Sequence, residues 1–210
     1  MNKKKRLILY SILVICLLLF ISGCMRQKLP FFYYTLESSN QVETPSTNSL
    51  PNILVGPIVI ASFLDKGQLV KQNSAYAITI EEQHRWAGNL QEMLSDALIN
   101  NLSRNLGTNT IYPYSDNHVF EGLQLELALL HFEKDSKGQA LLRARWKISD
   151  TNQSILYAKT STYTTQAENS NYSSLVQGLS IGLSSLSEEI ADAIRAVALE
   201  KEQNMNTNKH

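Results

Sequence analysis

Cysteine is nearly absent from this chain. It occurs twice, as Cys16 and Cys24, in 210 residues. Cys16 lies inside an N-terminal apolar run and is expected to leave with it, so no disulfide framework is available to the rest. An excess of basic charge is missing too. Lys and Arg number 19, and so do Asp and Glu. Lys3, Lys4, Lys5 and Arg6 all sit at the start; removing them leaves 19 − 4 = 15 basic residues against 19 acidic ones, a balance of −4. Nucleic-acid binding needs a basic footprint, and this chain lacks one. The same balance argues against docking on anionic lipid by charge.

The usual signs of catalysis are sparse. His84, His118, His131 and His210 share no metal-ligand spacing, so no metal site is expected. Glu81-Glu82 and Glu188-Glu189 are adjacent pairs; neighbours do not converge on one face of a strand or helix, and they read as solvated charges. No Gly-rich loop follows a strand to cradle phosphate. Gly178-Leu179-Ser180-Ile181-Gly182 matches the nucleophile elbow G-x-S-x-G. That elbow needs a strand entering, a helix leaving, and an acid and a His downstream. Here the motif falls inside a helical stripe, and the one downstream His is the last residue, His210. A non-enzymatic protein without a cofactor is expected.

One long apolar run is present, from Leu7 to Ile21, behind the basic start. A membrane span takes about 20 apolar residues and a signal h-region about 7–15. The run ends in Ile21-Ser22-Gly23-Cys24, which resembles a bacterial lipobox. That resemblance implies a signal peptide at 1–23, cleavage before Cys24, and lipid on the Cys24 thiol and new amino group. A thiolate is the nucleophile such a transfer needs. Several acyl chains bury many CH₂ groups at about 0.8 kcal/mol each, which makes the anchor firm. Met25, rather than Asp, follows the cysteine; by the sorting rule of such lipoproteins this implies the outer membrane, facing the periplasm.

Residues 24–52 read as a lipidated N-terminus and tether, because Glu37 to Asn52 is rich in Ser, Thr, Asn and Pro. Phe31 to Leu36 is too aromatic for a linker and suggests an edge strand. A single domain follows at 53–200, and a polar, disordered tail at 201–210. Ile53 to Ile60 is a strand that must be an edge or carry a bulge at Pro57, which has no N–H to donate. Leu69 to Gln72 and Ala75 to Ile80 are short strands. Trp86 to Leu106 is an amphipathic helix closed by Gly107. Ile111 to Tyr114 is a short strand. Leu123 to Phe132 and Ala140 to Ile148 alternate apolar and polar residues, and with Ile155 to Thr165 form a meander. Tyr172 to Leu199 carries a stripe of Leu175, Leu179, Leu183, Leu186, Ile190, Ile194 and Val197. The expected fold is α+β: an antiparallel sheet with two amphipathic helices packed on it, two layers in one domain.

Several pieces in order resemble the PqiC-type lipoproteins, auxiliary components of ABC-type transport systems. They are Tyr33-Tyr34-Thr35-Leu36, the stretch ILVGPIVIASFLDKGQLV, Trp86-Ala87 leading into Leu90, Leu94, Leu98, Asn101 and Leu102, and Arg145-Trp146-Lys147-Ile148. Ala61 departs from the family pattern, which has Pro there; Phe63-Leu64-Asp65 keeps to it. The resemblance implies a non-enzymatic docking component that holds a tube of mammalian-cell-entry (MCE) domains at the outer membrane. It implies a role in lipid transport and envelope integrity. The alternative is a lipoprotein that itself binds a lipid or other apolar ligand. Phe63, Leu64 and Leu69 stand among charges around Gly67 and are the candidate contacts to the tube or to a neighbouring copy.

Overall fold

The computed structural model describes residues 3–4, 29–37, 50–114, 121–166 and 171–207, with side chains to 203. Apart from residues 3–4, the expected signal segment lies outside the described residues, as does Cys24. The chain divides into Met1–Pro30 and Phe31–His210, and all the elements below belong to the second unit.

Among the described residues that unit has eight strands and two helices. The strands are β1 (Phe32–Tyr34), β2 (Ile53–Ile60), β3 (Gln68–Ser74), β4 (Ala77–Trp86), β5 (Ile111–Pro113), β6 (Leu123–Lys134), β7 (Ala140–Asp150) and β8 (Ile155–Thr165). Helix α1 is Leu90–Leu106, between β4 and β5, and α2 is Tyr172–Thr207. The fold is α+β, as the patterns predict.

The sheet is mixed, which corrects the antiparallel expectation. Its order is β1-β4-β3-β6-β2-β5, with β7 on the other edge of β6 and β8 beyond it. The meander β6-β7-β8 is antiparallel throughout. By contrast β2 runs parallel to both β5 and β6. The chain leaves β2, builds β3, β4 and α1, and returns as β5; such a crossover brings a strand back parallel. The alternation within one strand says which face is buried, not which way its neighbour runs. Pro57 sits where the β2–β6 register shifts, between Val55 and Ile58, so the strand bulges at the residue that cannot donate.

Each helix forms where its sequence permits. Asn89 caps α1: its side-chain oxygen accepts from Gln91 N at 2.9 Å and Glu92 N at 3.2 Å. Trp86 is therefore not the first helical residue, as its apolar spacing suggests. It ends β4, its N–H bonded to the Gly67 carbonyl at 2.9 Å. At the other end Gly107 takes φ 62°, ψ 37°, a conformation glycine adopts without Cβ strain. Leu90, Leu94, Ala97, Leu98, Leu102 and Leu106 are buried on one stripe. All seven stripe residues of α2 are buried too, and the helix continues past Leu199 to Thr207.

Helix α2 lies very close to the sheet. A methyl group at Gly178 would come within 2.8 Å of Ala140 Cβ, whereas at Gly182 the nearest side chains, Leu142 and Tyr163, would stay at 3.5 Å. Gly178→Ala is therefore expected to destabilise. Overpacking costs about 1–3 kcal/mol, more than the roughly 1 kcal/mol that Ala gains in helix propensity. Gly182→Ala has room and should be neutral or stabilising. Thermal unfolding of the two variants side by side checks the difference in sign.

Candidate functional site

Phe63, Leu64 and Leu69 do not form a free docking surface. Leu64 and Leu69 are each 1% exposed, inside this chain's own core. Phe63 is half-buried against that core, with its ring edge-on to His131 at 6.2 Å. The reason lies in how β2 and β3 share one edge of β6. Strand β2 stays with β6 as far as Ile60↔Leu129, and β3 meets β6 at Lys71↔Lys134. Between these pairs the edge has no strand. The connecting loop crosses the gap and turns Leu64 inward. Glu133 serves the backbone that has no strand partner there: its carboxylate accepts from Phe132 N at 2.6 Å and pairs with His131 Nδ1 at 2.7 Å. Burial pushes the Glu133 carboxyl up, against the pull of His131 and the Phe132 N–H.

A surface suited to a partner lies elsewhere, on the face of the sheet turned away from the helices. Alternation puts Leu125, Leu127, Ala144 and Trp146 inward and Glu126, Ala128, Arg145 and Lys147 outward. Register then lines up Val59, Ala128, Arg145 and Thr160 across four strands. Small and apolar side chains, Pro57, Val59, Ala128 and Ala158, leave a groove of about 250 Å³. Arg145 and a cross-strand pair, Lys147 Nζ to Glu126 Oε1 at 2.8 Å, rim it. Val59 is 60% exposed. The floor is apolar and the rim charged, the composition of a protein interface centre with a polar border. The outward placing of Arg145 and Lys147 is legible in the alternation of β7. That Pro57 and Val59 meet them is not, because it needs β2 beside β6.

Other chemistry-bearing groups among the described residues make structural contacts. Ser180 lies within α2, without the strand that a nucleophile elbow requires, and its Oγ accepts from Glu37 N at 3.4 Å. His84 Nδ1 bonds Tyr34 Oη at 2.8 Å, and its ring stacks on Tyr172 at 3.7 Å. Glu189 departs from the solvated reading: Lys159, Ser161 and Tyr163 on β8 all donate to it, which latches α2 to the sheet. Partial burial pushes its carboxyl up, yet the three donors outweigh this and hold it below the usual range. Ser161 in turn accepts from Trp146 Nε1 at 3.0 Å. Among the described residues no group of three or more His, Cys, Asp or Glu could hold a metal ion. No helix among them is long and apolar enough to cross a membrane. His118 and His210 lie outside the described residues.

Solved structures share this arrangement. An uncharacterized protein aligns with TM-score 0.66 at 19% identity, over 79% of this chain and 99% of its own. A DUF330 protein from Xanthomonas campestris aligns with TM-score 0.68 at 15% identity, over 82% of this chain and 99% of its own. At such identities the likeness is one of fold. A search of curated proteins returned no match. The family model described as ABC-type transport auxiliary lipoprotein component matches residues 34–191, from β1 well into α2. That span takes in seven of the eight described strands whole, the end of β1, all of α1 and more than half of α2, so the chain belongs to the family of ABC-type transport auxiliary lipoprotein components.

Proposed function

We propose that this protein is a lipid-anchored, non-enzymatic docking component of an ABC-type transport system, held at the outer membrane by lipid on Cys24 and facing the periplasm. Its partner is a periplasmic MCE-domain protein of that system, and the pair supports lipid passage between membranes and envelope integrity. The observation that carries the reading is the outer-face groove of Pro57, Val59, Ala128 and Ala158 with its charged rim. A lipid carrier would instead keep a chamber between sheet and helices. The positions facing that space, among them Leu98, Leu125, Trp146, Leu183 and Ile190, are buried and packed together in one core. At about 250 Å³ the open groove also falls below the roughly 300–1,000 Å³ of ligand pockets.

Val59→Glu combined with Arg145→Glu tests the docking. Both side chains point outward, so the melting temperature should hold. Capture of the MCE-domain protein from crosslinked envelopes should fall about tenfold or more, the equivalent of about 1.4 kcal/mol. Undiminished capture would rule out this face. A lipid found bound to the purified domain by native mass spectrometry would favour the lipid-binding alternative.

A further inference from the structure

We propose that one face at β1, formed by Phe31 just before the strand and Tyr33 within it, with Arg85 of β4, lies in the interfacial layer of the phospholipid membrane. The inference deepens the anchoring part of the proposed function and rests on lipid at Cys24. Phe31 is 54% exposed and Tyr33 64%, although neighbouring aromatics on the other side of the strand are engaged. Phe32 stacks on His84 at 5.2 Å, and Tyr34 bonds the same ring. Tyr33 pairs in register with Arg85, whose guanidinium sits 4.8 Å over the Phe31 ring. Two aromatic rings and an arginine on one exposed face are the residue types enriched where headgroups meet water.

Position along the chain says what covers this face. Phe31 follows Cys24 by seven residues. Seven residues reach at most about 24 Å when fully extended, so a lipid on Cys24 keeps β1 close to the membrane surface. Among the described strands β1 also ends the sheet path and pairs only with β4. Its other edge presents backbone N–H and C=O groups, which the hydrated headgroup layer can satisfy and the hydrocarbon core cannot. Attraction by charge is not the cause. Arg85 is already paired with Glu82 at 3.4 Å, and the mature chain carries a net −4. The contact is made by the aromatic rings, so it should be insensitive to anionic lipid.

The test uses the full processed protein, purified from membranes and reconstituted into phosphatidylcholine vesicles whose lipids are brominated near the headgroup. Tyr33→Trp places a fluorophore on the proposed face. Ile155→Trp, also at an exposed residue, places one on β8, five strands away in the sheet. Trp86 and Trp146 are buried and add a constant background. Quenching of Tyr33→Trp should exceed that of Ile155→Trp about threefold and be unchanged when phosphatidylglycerol is added. Equal quenching of the two, or quenching that requires phosphatidylglycerol, would overturn the proposal. Mass spectrometry of the same sample reports the lipid on Cys24. Its absence would sink the anchoring reading alone, since an uncleaved signal would still hold the chain at the vesicle and the quenching would still decide the placement of β1. Failure to float with vesicles would overturn both.

Discussion

Cys24→Ala is expected to abolish lipid labelling completely and to leave the apolar signal on the chain. The two effects share a cause. Lipid transfer needs a thiolate, and cleavage of this kind of signal follows lipid attachment at the residue after the small pair Ser22-Gly23. Cys16 cannot substitute. It is flanked by Ile15 and Leu17, with no small-residue exit behind it. Labelled palmitate followed by gel analysis reads both outcomes, since an uncleaved chain keeps about 23 extra residues and migrates more slowly. Incorporation of label in the variant would overturn the lipobox reading. The physical stake is large. Several acyl chains separate a firm anchor from a chain that leaves the membrane reversibly.

Changing Phe63 and Leu69 to Ser together should lower the melting temperature on the order of 10 °C. Leu69 is 1% exposed and Leu64, from the same segment, is also 1% exposed. Truncating one buried Leu costs about 2–5 kcal/mol, and for a chain of this size each kcal/mol moves the midpoint about 2–4 °C. Serine adds the cost of burying a hydroxyl without a designated partner. Loss of Phe63 removes the ring that covers His131, and with it part of the shield over the buried Glu133. Circular dichroism on heating measures the midpoint. A midpoint that holds, with partner capture lost, would mean this segment can leave the core and present itself. That outcome would restore Phe63 and Leu69 as docking residues and weaken the case for the groove.

The two expectations separate two kinds of role. In the proposed function Cys24 acts through covalent chemistry. Leu69 acts through packing, and any effect of its loss on partner binding would come through the fold. The groove variants, Val59→Glu and Arg145→Glu, fall in a third class. They leave anchor and core intact and alter the surface alone.

Much of this protein is legible along the chain. The alternation from Leu123 to Leu129 and from Ala140 to Ile148 determined two strands and the face each buries, because a two-residue period has one stable solution when one side is wet. The steps of 3 and 4 from Leu175 to Val197 determined the inner face of α2 for the same reason. Pro57 determined an interruption in β2, since a residue without an N–H cannot donate to a ladder. What the tertiary structure alone decided is which elements meet. Parallel pairing of β2 with β5 and β6 depends on a crossover spanning two strands and a helix, and no local pattern encodes its path. The burial of Leu64 and Leu69 depends on a gap at the edge of β6 that exists only once β2 and β3 lie end to end along it. The groove depends on Val59, Ala128, Arg145 and Thr160 reaching one row from four strands. Local propensity acts over a few neighbours in sequence, whereas these placements are set by neighbours tens of residues away, and so they appear only in the folded chain.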